Sequence, residues 1–278
     1  PYVQRPLVFD VNNTQLLSGE YFDVVINFEK IPELCALADN IIAQKRYGFA
    51  FDAATGGAIS CVGSERVFSL CKNLEEKRSH REPWQKILME MIGRTWTGQE
   101  YILGYQPKSS VKFDFGLNHV VGSKWPTKVW PKANWERLCS LLETRGFSVS
   151  WQEGLADLNC YMDWLHACRN IITCDSLGFH LALAMRKRTV VLYGPTNANE
   201  TFLYGRGVSI QPRGFACAPC LSSRCTNTHF CMDSITPEEV LDSALQCLHP
   251  QPALAPAAFA ESAPHWDSKP SLTSNYLA

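Results

Sequence analysis

The hydrophobic positions of the chain fall into short segments of two kinds, and these segments alternate along the sequence. Short apolar runs, continuous or alternating with polar positions, are typical of strands, and strands are predicted at 21–28, 46–51, 111–117, 147–151, 170–173 and 189–193. Amphipathic spacing predicts helices at 31–42, 83–91, 133–144, 161–169, 177–185 and 237–248. The Gly- and Ala-rich stretch 52–60 shows neither period and is predicted to be a loop.

The order of these segments predicts the fold class. Strands alternate with helices through short connections, which is typical of doubly wound α/β domains with parallel sheets. Residues 105–248 are predicted to form one such domain. Residues 1–104 show about two strand–helix units and are predicted to form a smaller N-terminal α/β domain that lacks its first units. The Pro-, Ala- and Ser-rich segment 249–278 is predicted to be a disordered tail.

Composition and charge exclude several classes of protein. The chain has 278 residues, of which 46% are hydrophobic and 19% charged, as in soluble globular proteins. Its 26 basic and 27 acidic residues leave a net charge of −1, so the sequence predicts no nucleic-acid partner. It contains no apolar run of about 18 residues, so no membrane-spanning helix is predicted.

The segment around Asp175 joins a predicted strand to a predicted helix. Asp175 and Ser176 would lie at the carboxyl edge of the sheet, where open α/β sheets bind their ligands. The N–H groups of Ser176, Leu177 and Gly178, together with the positive end of the helix dipole, form an anion site. His180 lies one turn further along and is placed to donate to a phosphate oxygen. The alternative is that Asp175 or Ser176 only caps the helix and that His180 only packs.

A second loop, within 117–131, is predicted at the same edge of the sheet. Lys124 and Lys128 could neutralise a diphosphate, and Trp125 and Trp130 could form the walls of a sugar or base pocket. The alternative is that the indoles only pack the entry of the following helix.

These segments resemble glycosyltransferase family 9, the heptosyltransferase family that extends the inner core of bacterial lipopolysaccharide. The resemblance depends on Lys128-Val-Trp-Pro131, Asp175-Ser-Leu-Gly-Phe-His-Leu-Ala-Leu-Ala184 and Leu192-Tyr-Gly-Pro-Thr196. These motifs occur in the order found in the family and cover about residues 110–248. Residues 21–48 also resemble a segment of the family's first domain, with less specificity.

The resemblance implies a GT-B architecture, in which two Rossmann-like domains with parallel sheets face a cleft. The C-terminal domain would hold a nucleotide sugar, usually ADP-heptose, for an inverting transfer without a catalytic metal. By motif position, Lys128 would hold the diphosphate, and Asp175, Ser176, Gly178 and His180 would form the phosphate-binding turn. Glu153 follows the 147–151 strand, and its spacing predicts a contact with a ribose hydroxyl.

We therefore expect a transferase that moves a heptose-like sugar from a nucleotide diphosphate to a lipopolysaccharide-core, glycan, lipid-linked or protein acceptor. The expected location is the cytoplasm, either free or in peripheral contact with the inner face of the bacterial inner membrane. In the family, an Asp in a Gly-Asp element deprotonates the acceptor, and no such element precedes Tyr21 here. The catalytic residues therefore stay unassigned. The alternative is a metal-stabilised nucleotide- or sugar-binding module without transferase activity.

Cysteines are concentrated in one short segment. The chain has 12 Cys, and four of them lie in the loop 213–232 with the spacing C-x2-C-x4-C-x5-C. Four thiolates at such spacing could complete a tetrahedral shell around structural zinc or iron. The predicted ligands are Cys217, Cys220, Cys225 and Cys231, with His229 as a substitute for one of them. Family resemblance favours a metal without choosing the ion, and two local disulfides or unligated thiols are the alternatives.

Overall fold

The computed structural model describes residue 3 and residues 5–248. The strands in this part of the chain are β1 (Tyr21–Asn27), β2 (Ile42–Asp52), β3 (Gly57–Ser60), β4 (Phe113–Asn118), β5 (Val149–Trp151), β6 (Cys168–Cys174), β7 (Arg188–Leu192) and β8 (Gly207–Ile210). The helices are α1 (Val11–Ser18), α2 (Pro32–Asn40), α3 (Glu65–Lys72), α4 (Leu74–Ser79), α5 (Trp84–Met91), α6 (Lys132–Thr144), α7 (Leu158–Ala167), α8 (Leu177–Ala184) and α9 (Pro237–Leu248). The predicted tail, 249–278, lies outside the described residues.

The C-terminal half of the described chain is built on a five-stranded sheet with the order β5-β4-β6-β7-β8. Every neighbouring pair in this sheet is parallel. Successive side chains of a strand point to opposite faces, so β6 sends Ile172 toward α6 and α9 and Ile171 toward α7 and α8. Both faces are therefore covered by helices, which explains why these strands are apolar throughout.

The N-terminal half contains a three-stranded sheet with the order β1-β2-β3. β1 and β2 are parallel, but β3 runs antiparallel to β2, so the predicted loop at 52–60 is in fact a hairpin. The Asp52 carboxylate accepts from the Ala54 N–H at 3.0 Å and from the Thr55 hydroxyl at 2.6 Å. These local bonds form the turn, and Gly56 supplies a φ of 69° within it. The prediction was wrong because β3 is too short to show a period.

The two halves are joined by residues 92–112, which contain no helix or strand, and by polar contacts. The buried Asn197 donates through Nδ2 to the carbonyls of His80 at 2.8 Å and Lys77 at 3.2 Å. Arg206 forms a bidentate pair with Glu100, with both N–O distances at 2.7 Å. The predicted boundary between residues 104 and 105 stays a prediction.

Among the described residues, no helix combines the length and apolar character needed to cross a membrane.

Candidate functional site

Three loops meet at the carboxyl edge of the five-stranded sheet. Asp175 directly follows β6, Thr196 lies four residues after β7, and Lys128 ends a single 3-10 turn in the loop after β4. β4 and β7 are the two hydrogen-bonded neighbours of β6, so parallel pairing brings these three loops together. The predicted convergence of Lys128 with the Asp175 turn is therefore present.

The Asp175 carboxylate is the centre of this cluster. Its Oδ2 accepts from Lys128 Nζ at 2.7 Å and from the Thr196 hydroxyl at 2.8 Å. The Lys128 and Asp175 side chains are only 17% and 14% exposed, so solvent screens their attraction less than it screens a surface pair. Lys128 Nζ also lies 5.4 Å from the centre of the Trp125 ring. The lysine is thus held at the edge of the sheet.

His180 faces the same cluster from α8. Its Nε2 lies 3.9 Å from Asp175 Oδ1, and its Nδ1 lies 3.4 Å from the Tyr101 hydroxyl. Burial lowers the pKa of His180, and the positive charge of Lys128 lowers it further against the opposing effect of Asp175. The ring is therefore neutral at pH 7, with one nitrogen as donor and the other as acceptor.

Ser176 is the N-cap residue of α8, but its side chain makes no capping hydrogen bond. Asp175 does not cap the helix either, since Lys128 and Thr196 occupy one of its oxygens and His180 faces the other. The alternative that these residues only cap the helix is thus wrong. The first turn has no side-chain cap at its N–H groups, and the positive end of the helix dipole lies there. Such an end suits an anionic ligand.

Gly178 is buried beneath this turn. A Cβ at this position would lie 2.0 Å from the Tyr161 hydroxyl oxygen and 2.6 Å from Asn118 Nδ2. The glycine is thus explained by close packing of α8 on the strand and helix below it. A direct role for Gly178 toward a ligand stays a prediction.

Other predicted site residues lie apart from the cluster. Within the described chain, Glu153 is exposed after β5 and takes no part in the hydrogen bonds of the Asp175 cluster. Lys124 is exposed as well. Trp130 is 1% exposed, and its Nε1 donates to the Ile235 carbonyl at 2.9 Å. Trp130 therefore belongs to the core, as the packing alternative expected, and does not wall a sugar or base pocket.

The four cysteines of the 213–232 loop line one cavity of about 240 Å³. All are free thiols, so the two disulfides are not formed. Residues 3 and 5–248 contain no group of three or more His, Cys, Asp or Glu side chains that could hold a metal ion. The thiols share this cavity, and the ligand set of Cys217, Cys220, Cys225 and Cys231 stays a prediction. Within this irregular loop, Cys225 is exposed while Cys231 is buried.

The cysteine loop is nevertheless tied to the loops that carry the Asp175 cluster. The Thr127 hydroxyl donates to the Ser222 carbonyl at 2.7 Å, and the Leu221 N–H donates to the Pro195 carbonyl at 2.7 Å. Thr127 and Pro195 are the chain neighbours of Lys128 and Thr196. The loop therefore braces two of the three loops of the cluster.

Sequence reasoning did not identify three residues that take part in the site or lie directly beneath it. Thr196 lies inside the quoted motif 192–196, so its hydroxyl could have been noticed there. Asn118 is the polar residue that follows the predicted 111–117 strand. Tyr101 comes from the irregular segment 92–112, whose sequence has no period that could have placed it next to His180.

Part of this chain is similar to glycosyltransferases of one family. The model of glycosyltransferase family 9 (heptosyltransferase) matches residues 153–230. The chain is 32% identical over 127 residues to lipopolysaccharide heptosyltransferase 1 of Pseudomonas aeruginosa. This match covers 38% of this chain and 36% of the relative. It is 31% identical over 83 residues to lipooligosaccharide heptosyltransferase 2 of Campylobacter jejuni, and this match covers 29% of this chain and 26% of the relative. The matched part thus spans about a third or less of these curated relatives.

Two solved structures share the fold. The family 9 glycosyltransferase of Veillonella parvula superposes with a TM-score of 0.53 at 16% identity, covering 84% of this chain and 76% of the other. The heptosyltransferase WaaC of Escherichia coli, solved with ADP, superposes with a TM-score of 0.54 at 16% identity, covering 84% and 75%. The predicted α/β fold class of GT-B type is confirmed. The predicted resemblance to glycosyltransferase family 9 is confirmed over residues 153–230.

Proposed function

We propose that this chain is the donor-binding part of an inverting heptosyltransferase. It would transfer a heptose-like sugar from a nucleotide diphosphate, ADP-heptose in the first instance, to an acceptor of the lipopolysaccharide core. The observation that carries this proposal is the convergence of Lys128, Asp175 and Thr196 beside the uncapped N-terminus of α8. The names of the curated relatives support the choice of heptose and of lipopolysaccharide.

The proposed mechanism is electrostatic. When the bond between sugar and diphosphate breaks, negative charge builds up on the leaving diphosphate. Lys128 and the first-turn N–H groups of α8 would stabilise that charge, and such preorganised donors lower the barrier most where water is excluded. Asp175 and Thr196 orient Lys128, and the neutral His180 offers one N–H to a phosphate or sugar oxygen. No step uses a metal ion, and no residue is assigned as the base that deprotonates the acceptor.

Acceptor and location follow from the same proposal. A lipid-linked core acceptor would be met at the cytoplasmic face of the inner membrane, in peripheral contact with it. Glycan or protein acceptors are compatible with the same donor site. Glu153 is exposed, and its contact with the ribose stays a prediction.

Lys128→Ala tests the proposal, because it removes the charge placed for the leaving group. Transfer from ADP-heptose should fall by about 100-fold or more, the usual loss when one preorganised donor is removed. Circular dichroism should show an intact fold. Lys132→Ala is the matched control, because Lys132 is 84% exposed and pairs with Glu136 on the surface of α6.

Unchanged transfer in Lys128→Ala would contradict the proposed role. If the wild-type chain bound ADP in calorimetry but transferred no sugar to a lipopolysaccharide-core, glycan or protein acceptor, the binding-module alternative would be favoured.

A further inference from the structure

A buried amide lies directly beneath the turn that begins α8. Asn118, the last residue of β4, is 0% exposed. Its Nδ2 donates to the Thr173 hydroxyl at 2.7 Å and to the Ser176 hydroxyl at 3.0 Å, and its Oδ1 accepts from the Tyr161 hydroxyl. Tyr161 accepts in turn from Gln152 Nε2 at 3.1 Å. Both hydrogens and the oxygen of the amide are therefore used, as a buried polar group requires.

This network changes what Ser176 does. A serine at an N-cap position ordinarily accepts from the second or third N–H of its helix. Ser176 has the extended backbone of an N-cap residue, with φ at −147° and ψ at 175°, but its side chain makes no capping bond. The hydroxyl oxygen accepts from Asn118 instead. The Phe179 N–H bonds to the Ser176 backbone carbonyl at 3.1 Å. No side chain caps the N–H groups of the first turn, which include those of Leu177 and Gly178.

We infer that Asn118 is a positioning residue, which holds the Ser176 hydroxyl away from α8 so that the first-turn N–H groups stay open for the donor diphosphate. Without the Asn118 amide, rotation about the Ser176 side-chain bond would let the hydroxyl oxygen cap the helix. A capped first turn would compete with the phosphate oxygens for the same N–H groups. This inference rests on the proposed function, since it assigns a ligand to the same turn.

A purely structural role for Asn118 makes a different prediction. If the amide only satisfies Tyr161 and Thr173, its removal should weaken ligand binding by the same factor whether or not Ser176 carries a hydroxyl. If it acts through Ser176, the loss should depend on that hydroxyl. A double-mutant cycle separates the two cases.

The experiment measures ADP binding by calorimetry in the full chain. The four proteins are wild type, Asn118→Ala, Ser176→Ala and the double variant. With the Ser176 hydroxyl present, Asn118→Ala should weaken ADP binding by about fivefold or more, which corresponds to the free energy of a typical N-cap hydrogen bond. When Ser176→Ala has already removed that hydroxyl, the same change at Asn118 should weaken binding by less than about twofold.

Tyr161→Phe is the control, because it removes the hydrogen bond to Asn118 Oδ1 and leaves the contact of Asn118 with Ser176. It should lower the melting temperature and leave ADP affinity within about twofold. If Asn118→Ala does not fold, Asn118→Ser replaces it, since the shorter hydroxyl stays polar but no longer reaches Ser176.

Equal losses with and without the Ser176 hydroxyl would overturn the inference, and so would unchanged affinity in the single Asn118 variants. Failure of the wild-type chain to bind ADP would instead contradict the proposed function.

Discussion

The Asp175 cluster and the cysteine loop were both predicted from residue spacing, but only one of them is assembled. At Asp175, side chains from three loops meet at 2.7 and 2.8 Å. In the loop 213–232, four thiols surround a cavity of about 240 Å³, and no three of them are placed to hold an ion.

The difference lies in what supports each group. Lys128, Asp175 and Thr196 follow β4, β6 and β7, whose backbone hydrogen bonds set their spacing and direction. The cysteine loop has no strand and only a short 3-10 turn at Cys231–Ser234. The loops that follow neighbouring parallel strands are therefore brought to the same edge of the sheet by backbone pairing. Side chains within one irregular loop need a ligand or neighbouring loops to bring them together.

Gly178→Ala should produce the largest effect on stability. The new methyl group would lie 2.0 Å from the Tyr161 hydroxyl and 2.6 Å from Asn118 Nδ2, at a buried position. Overpacking of this kind typically lowers the free energy of unfolding by about 1–3 kcal/mol, which urea denaturation would measure. Gly122→Ala is the matched control, because its new Cβ would have no atom within 4 Å. Equal stability of both variants would show that the strand-supported turn is not tightly packed.

A second effect on stability should be visible only at alkaline pH. Burial raises the pKa of the Cys174 thiol from 9.0 to about 12. Folded and unfolded chains both hold the neutral thiol below pH 9.0, so the contribution to stability is fully present there. Between pH 9.0 and about 12, only the unfolded chain ionises, so the free energy of unfolding falls as pH rises.

Cys174→Ala should therefore make the alkaline loss of stability shallower, whatever its cost at pH 7, as denaturation curves at several pH values would show. Cys160→Ser is the control, since Cys160 is exposed. If the free energy of unfolding of wild type and of Cys174→Ala fell equally with rising pH, the raised pKa of Cys174 would be contradicted.

Removal of metal ions should have the smallest effect. Since the described thiols form no metal-holding group, chelator treatment should change the melting temperature by less than about 2 °C and leave ADP affinity unchanged. Elemental analysis of the purified protein is the companion measurement. Stoichiometric zinc or iron, together with a large chelator effect, would reverse the comparison. It would show that an ion binds the four sulfur atoms. The metal-bound loop would then brace the loops that carry Lys128 and Thr196.

Much of the fold and the outline of the site could be predicted from local patterns. Apolar runs gave the approximate positions of β4, β6 and β7, and the position of Asp175 after a strand indicated the edge of the sheet. Short elements without a clear period were not predicted, and β3 and β8 are four residues each.

By itself the sequence determined which residues end strands and begin helices, because that information is local. Only the tertiary structure decided that the Ser176 hydroxyl turns to Asn118, which lies 58 positions earlier in the chain. It likewise decided that Tyr101 reaches His180 across 79 positions and that Gly178 is required by Tyr161 below it. The physical reason is that a hydroxyl or an imidazole can satisfy its hydrogen bonds in several local ways. Long-range packing selects among them.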